Sequence, residues 1–328
     1  PVPIVNSLLA AKDQLGTIRA RLGIGRSNYR IVPGLYGLGQ PDANSPVLVT
    51  ANYKLSFDSL RQELRNHSVW ILVLDTNGVN VWCAAGKGTF STKELIQRIR
   101  ITGLDKVVKH RRLILPQLSA TGVAAHSVKK GSGFNVTWGP ILAQDIPAFI
   151  QNNLKTDEKM RRITFTLRER TVLVPVEFKL LLKPAFFILL AAILLSGIGP
   201  GFYSLQDMWS RGWLAVLSGV IGIVAGAVLT PILLPWIPGR SFSIKGTWVG
   251  IVCGIIFIWY SSLKYIQFET LAMLLFITAL SSYLAMNFTG STPFTSPSGV
   301  EKEMKRAIPA QILAVVIALG TWITSAFI

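Results

Sequence analysis

The apolar positions of this chain follow two rhythms. Up to about residue 162 they fall in short bursts of about four to eight residues, separated by charged and turn-forming stretches; beyond about 180 they merge into runs long enough to cross a bilayer. In the first part, Leu8, Leu9, Leu15, Ile18 and Leu22 predict one amphipathic helix over Asn6 to Leu22. Ile31 to Pro41 is so rich in Gly and Pro that it predicts a fixed, irregular loop. Val47 to Thr50 predicts a buried strand, Phe57 to His67 a helix capped by Ser56 or Asp58, and Val69 to Leu74 a second buried strand. A helix from about Ser91 to Ile101 follows, opened by the capping-box pattern Ser91-Thr92-Lys93-Glu94. Arg112 to Leu115, Gly122 to Ala125 and Phe134 to Trp138 are further strand candidates, and Ile141 to Asn152 is a helix entered through Gly139-Pro140. Strand and helix alternate, which predicts an α/β domain, Rossmann-like with a mostly parallel sheet, over residues 1–162.

Residues 163–179 alternate apolar and polar positions on both sides of Arg168-Glu169-Arg170, predicting a β-ribbon linker. Five apolar segments follow, at about 180–198, 213–234, 247–263, 270–288 and 308–328, and predict an all-α transmembrane domain over 180–328. Within it, Gly219, Gly222 and Gly226 lie about one helical turn apart, a spacing that lets helices approach closely. No Asp, Glu, Lys or Arg sits clearly near the middle of a segment, which argues against a proton or ion transporter.

Charge sharpens this division. The chain carries 33 Lys+Arg against 16 Asp+Glu, a net +17; residues 1–183 hold 26 against 12, a net +14. The basic residues form no recognition helix, zinc-finger spacing or aromatic RNA-binding motif, so nucleic acid is not an expected partner. The denser set, Lys155, Lys159, Arg161, Arg162, Arg168, Arg170, Lys179 and Lys183, precedes the first apolar segment, where membrane lipid with anionic headgroups attracts such residues on the cytoplasmic side. Arg240, Lys245, Lys302, Lys305 and Arg306 then fall inside and Arg211 and Lys264 outside, predicting a multi-pass protein of the inner (cytoplasmic) membrane with its N-terminal domain cytoplasmic and its C-terminus on the outer side. Pro1 is not a Met, so further residues are expected upstream, and no signal-peptide pattern opens the chain.

The candidate chemistry lies just after the second buried strand, in Asn80-Val81-Trp82-Cys83-Ala84-Ala85-Gly86-Lys87-Gly88-Thr89. Cys83 is one of two cysteines; Cys253 lies inside an apolar segment, so neither a disulfide nor an iron–sulfur cluster is expected from this chain. Lys87 is followed by Gly88 and Val81 stands where a P-loop needs its first glycine, which argues against nucleotide binding. His67, His110 and His126 carry no local signature pairing them with Cys83 as in a cysteine protease. A buried structural cysteine remains open, although a strand-to-helix turn is where backbone N–H groups favour a thiolate.

The run Asn80 to Lys87 resembles the cap-helix motif of the HgcA family, corrinoid-dependent mercury-methylating membrane proteins, and the following Gly-Thr-Phe agrees. Pro46 to Lys54, followed by Phe57-Asp58, resembles the family's other corrinoid-domain signature, shared more loosely with the corrinoid iron–sulfur protein of acetyl-CoA synthesis. A soluble corrinoid domain before about five membrane helices is also the family's layout. The resemblance implies a cobalamin-type corrinoid with the Cys83 thiolate as lower axial cobalt ligand, Thr50, Ser56, Val81 and Ala143 lining the cofactor, and Trp82, Ala84, Ala85 and Gly86 in the cap helix. Lys87 would contact an amide or phosphate or simply be solvated, and Ser56 departs from a common Thr while keeping the hydroxyl. The implied activity is transfer of a methyl group from a methyl-cobalt(III) corrinoid to Hg(II). The implied partners are an HgcB-like ferredoxin carrying iron–sulfur clusters and a methyltetrahydrofolate-linked methyl donor system. A membrane-anchored corrinoid carrier or sensor without that activity is the competing reading.

Overall fold

A computed structural model of the chain describes residues 2–261, 267–288 and 297–328. The contacts divide it into two compact units, Pro1–Thr164 and Phe165–Ile328.

The first unit is built on β3 (Val47–Ala51) and β4 (Val69–Leu74), parallel strands buried at every position, which is why their sequences are continuous apolar runs. Side chains alternate between two cores. Trp70, Leu72 and Leu74 face one, and Val69, Ile71 and Val73 the other. The sheet order is β1-β2-β4-β3-β5-β6, with β1 (Ile4–Val5), β2 (Gly34–Leu38), β5 (Arg112–Pro116) and β6 (Asn135–Gly139). Every pairing is parallel except β2 with β4, so this is an α/β unit with a mostly parallel sheet. Helices α3 (Val81–Gly86), α4 (Thr92–Thr102), α5 (Leu104–Val107) and α6 (Ala125–Ser132) supply the first core, and α2 (Lys54–Glu63) and α7 (Ile146–Gln151) the second. Helix α1 (Ala11–Arg21) is shorter than its apolar spacing predicts and leaves Leu15 and Ile18 exposed.

Three expectations change. Gly34 to Leu38 is a strand, not a loop: a Cβ on Gly37 would stand 3.1 Å from Pro41 and 3.3 Å from the Trp70 ring, so its glycine serves close packing rather than a turn. Gly122 to Ala125 is not a strand but a turn into α6, with Gly122 accepting the Thr92 N–H at 3.2 Å. Helix α2 starts at Lys54 with neither Ser56 nor Asp58 as its cap, which frees the one for the site described below and the other for an ion pair.

Among its described residues the second unit holds five helices long and apolar enough to cross a membrane. The first, α8 (Leu167–Leu195), overturns the β-ribbon over 163–179: Thr166 accepts the Glu169 N–H, Glu169 accepts the Thr166 N–H at 2.6 Å, and this capping box starts a helix where alternation read as an extended chain. Helix α9 (Leu205–Ile223) runs through a π-helical turn at Val224–Leu229 into α10 (Thr230–Leu233). Then come α11 (Phe242–Tyr260), α12 (Gln267–Asn287) and α13 (Pro297–Thr324); Lys264 and the end of the third predicted span lie outside the described residues. The expected glycine packing is present: a Cβ on Gly226 would stand 2.5 Å from the Ser281 carbonyl oxygen, and one on Gly222 3.0 Å from Leu280.

Candidate functional site

Because β3, β5 and β6 are parallel, their carboxyl ends open on the same edge of the sheet, where α/β folds place ligands. A cavity of about 350 Å³ lies there. Thr50 and Val49 from β3, Leu115 and Pro116 from β5 and Gly139 from β6 line it from the sheet; Ser56, Ser59 and Leu60 enter from α2, and Asn80, Val81 and Trp82 from the start of α3. Leu48 and Ile114 add to the strand side, and the remaining wall is Leu118 and Pro140 to Ala143 with Ile146. Its surface is mostly apolar, with a few hydroxyls and one amide, the composition expected of a site for an organic ligand.

Two devices hold the α3 side in place. The Asn52 side-chain oxygen accepts from Thr76 N–H at 3.1 Å, Thr76 Oγ1 at 2.9 Å and Gly78 N–H at 2.9 Å, while its amide donates to Asp75 at 3.1 Å. These bonds fix the turn through Asn77 and Gly78, both at positive φ. Asn80 then caps α3, its Oδ1 accepting the Cys83 backbone N–H at 2.9 Å. On the opposite side, α2 is pinned through its outer face: Lys54 bonds Asp13 at 2.6 Å and Asp58 at 2.5 Å, and Arg61 bonds Asp58 and Asp13 at 2.8 Å each. Burial pushes the Asp13 carboxyl up, but hydrogen bonds from Lys54 and Arg61 outweigh it and hold the pKa at about 2.

Of the residues expected at the site, the fold brings Thr50, Ser56, Val81, Trp82 and Ala143 to this one cavity. Cys83 is half-buried on the next position of α3, not among the side chains lining the cavity. Ala84 and Ala85 are buried in the first core instead; their smallness serves the packing of α3, since a Cβ on Gly122 would stand 3.0 Å from the Ala85 Cα. Gly86 and Lys87 are exposed and outside the cavity. Asn80, Ser59, Pro116 and Gly139 to Leu142 line it without having been expected; Gly139-Pro140 directly after a strand is the sequence signal that points to them.

Residues 25–150 match the family model described as CO dehydrogenase/acetyl-CoA synthase delta subunit. The corrinoid/iron-sulfur protein large subunit of Moorella thermoacetica is 32% identical over 127 residues, 38% of this chain and 28% of that protein. Residues 25–150 are thus related to a corrinoid protein. The acetyl-CoA decarbonylase/synthase complex subunit gamma of Methanopyrus kandleri is likewise 32% identical over 128 residues, 38% of this chain and 27% of its own length. The similarity to that subunit of Methanocaldococcus jannaschii, 32% over 130 residues, covers 39% of this chain and 26% of the relative. The chain thus spans about a quarter of the length of the curated relatives it matches, and the match contains the whole cavity while the membrane half lies outside it.

Proposed function

We propose that this chain is a membrane-anchored, corrinoid-dependent methyltransferase that delivers a methyl group to Hg(II), giving methylmercury. The observation that carries the reading is the cavity at the carboxyl edge of the sheet, with the Cys83 helix at its rim, inside the segment related to corrinoid proteins. The residues suit such a group: the walls are mostly apolar, the lining offers Thr50, Ser56, Ser59 and Asn80 for hydrogen bonds, and Cys83 is a free, partly accessible soft donor on the adjoining helix. Cys83 would hold the cobalt, a thiolate being an anionic ligand with strong affinity for such a metal. When bound, the corrinoid supplies a cobalt–carbon bond whose methyl group leaves with the electron pair toward electrophilic Hg(II).

The chain's own part is positional. Asn80 fixes the first turn of α3 and thereby the backbone that carries Cys83; the turn latched by Asn52 fixes where α3 begins. Trp82 and Val81 form the cavity side of the helix. An HgcB-like ferredoxin would supply electrons, a methyltetrahydrofolate-linked system the methyl group, and the helices would anchor the unit in the inner membrane with the N-terminal unit cytoplasmic.

The test uses the full chain in detergent, reconstituted with a cobalt corrinoid. Wild type is expected to show a corrinoid absorption spectrum and to form methylmercury from added Hg(II) with reduced ferredoxin present; Cys83→Ala is expected to stay folded, shift the spectrum and lose the activity. Full activity in Cys83→Ala would overturn the cysteine's role. A corrinoid spectrum without methylmercury would instead indicate a carrier or sensor.

A further inference from the structure

The membrane unit contains two arginines in opposite circumstances, one half-buried and one buried. Arg211 is saturated: it bonds Glu269 at 3.0 Å, Ser325 at 2.8 Å and the Trp322 carbonyl, and stands 4.8 Å from the Trp322 ring centroid. Arg170, on the first turn of α8, is 3% exposed, and its Nε and Nη1 have no hydrogen-bond partner among the described residues. Its guanidinium carbon lies 5.7 Å from the centroid of the Trp236 ring, which attracts a cation but accepts no directed N–H bond of ordinary strength. No acid among the described residues forms an ion pair with it: Glu169 caps Thr166, Glu301 pairs with Lys305 at 2.7 Å, and Glu303 accepts the Ser243 N–H at 2.6 Å. Lys245, also near, is satisfied by the Leu234 and Ile237 carbonyls at 2.7 and 2.5 Å.

A guanidinium stays protonated at any accessible pH, so burial without an acid leaves a charge that folding alone does not compensate. The position says what can. Helix α8 has 29 residues, about 44 Å at about 1.5 Å per residue, against a hydrocarbon layer of about 30 Å. The surplus lies at the amino end, because Arg168, Glu169, Arg170, Glu177, Lys179 and Lys183 all precede Pro184 and no charge follows to Leu195. Arg170 therefore sits at headgroup depth, fixed by Leu173 one turn on, which packs on Leu234, Phe242 and Phe288. An exposed Trp236 beside it is the residue type that anchors in that layer.

We infer that Arg170, stacked beside Trp236, binds a phosphate group at the start of the first membrane helix, carried by an anionic lipid headgroup or by a soluble phosphate. The planar fork of donors suits two phosphate oxygens, and the free Nε and Nη1 are the atoms such an anion would engage.

The experiment uses the delipidated full chain in neutral detergent, titrated with phosphatidylglycerol, phosphatidylcholine or inorganic phosphate, and reads lipid retention by native mass spectrometry and the shift in Tm. Wild type is expected to retain phosphatidylglycerol over phosphatidylcholine and gain Tm with it. Arg170→Gln is expected to weaken that retention on the order of tenfold, while Arg168→Gln, at an exposed neighbour, keeps it. A gain with inorganic phosphate alone, lost in Arg170→Gln, supports the site with a soluble ligand. Should Arg170→Gln not fold, Arg170→Lys keeps the charge without the fork and is expected to lose most of the preference. Equal retention of both lipids by wild type with no effect of phosphate, or unchanged retention in the folded variants, overturns the site.

Discussion

The Asn52 side-chain oxygen accepts the Gly78 backbone N–H at 2.9 Å, tying the end of β3 to the turn that precedes the cysteine helix. The same atom also takes the Thr76 N–H and shares the Thr76 hydroxyl with the Val79 carbonyl, so one side chain satisfies two backbone donors of buried residues in a turn with positive φ at Asn77 and Gly78. Replacing Asn52 by Ala leaves the Thr76 and Gly78 N–H groups unpaired, while the Thr76 hydroxyl keeps the Val79 carbonyl at 2.7 Å, at a cost of about 1–3 kcal/mol for a buried group. Asn52→Ala is expected to lower the Tm of the first unfolding transition and to reduce corrinoid uptake together. If uptake stays at the wild-type level while Tm falls, the latch serves stability alone.

The ion network on α2 gives a pH signature. Asp13 has its pKa held at about 2 in the folded state, below the ordinary 3.8, so the stability it contributes is present above about 4 and lost as pH falls toward 2. Its side chain is about one-fifth exposed, which discounts the contribution to on the order of 1 kcal/mol. Urea midpoints of the full chain measured from pH 6 to pH 2.5 are expected to fall more steeply for wild type than for Asp13→Asn. Parallel curves would mean that the network adds nothing specific at Asp13.

What the sequence discloses of this fold follows from where each signal resides. Strands β3 and β4 are legible because burial on both faces leaves an uninterrupted apolar run, and α4 because Ser91 sits in front of it and accepts the Glu94 N–H. β2 is not, because Gly34 and Gly37 look like turn residues while Gly37 is there for room. The start of α8 is hidden for the opposite reason: an alternating pattern fits a ribbon, and only the Thr166–Glu169 exchange starts a helix. At the site, the motif marks Val81 and Trp82 directly, whereas Asn52 works on partners 23 to 26 positions away and no local pattern marks it. Ala84 and Ala85 show the limit of reading small residues as ligand clearance: the same smallness is required by the core beneath α3.

Helix packing in the membrane unit predicts a sharp positional contrast. A Cβ on Gly246 would stand 2.6 Å from both the Ala285 Cβ and the Ser281 carbonyl, whereas one on Gly320 would meet nothing within 4 Å. Gly246→Leu is expected to cost about 1–3 kcal/mol or more through overpacking, seen as a lower Tm in detergent. Gly320→Leu is expected to leave it unchanged. Equal effects at the two sites would place the α11–α12 contact elsewhere.

The Arg211–Glu269 pair joins α9 to α12, and the same guanidinium reaches Trp322 and Ser325 on or just beyond α13, so one side chain gathers three helices at one end of the bundle. The two partners are not equivalent. Glu269→Gln removes the charge but leaves Arg211 its oxygens on Ser196, Trp322 and Ser325, and the expected loss is about 1–2 kcal/mol, that of one charge-assisted hydrogen bond. Arg211→Met strands the Glu269 carboxylate at 8% exposure and empties the hub, for which about 3–5 kcal/mol is expected. The double variant Arg211→Met with Glu269→Met removes both charges and is expected to recover part of that loss. Tm values of the three variants in one detergent check the order: Arg211→Met lowest, the double variant above it, Glu269→Gln highest. A Glu269→Gln variant as unstable as Arg211→Met would show that the ion pair, rather than the carbonyl and hydroxyl contacts, holds this end together.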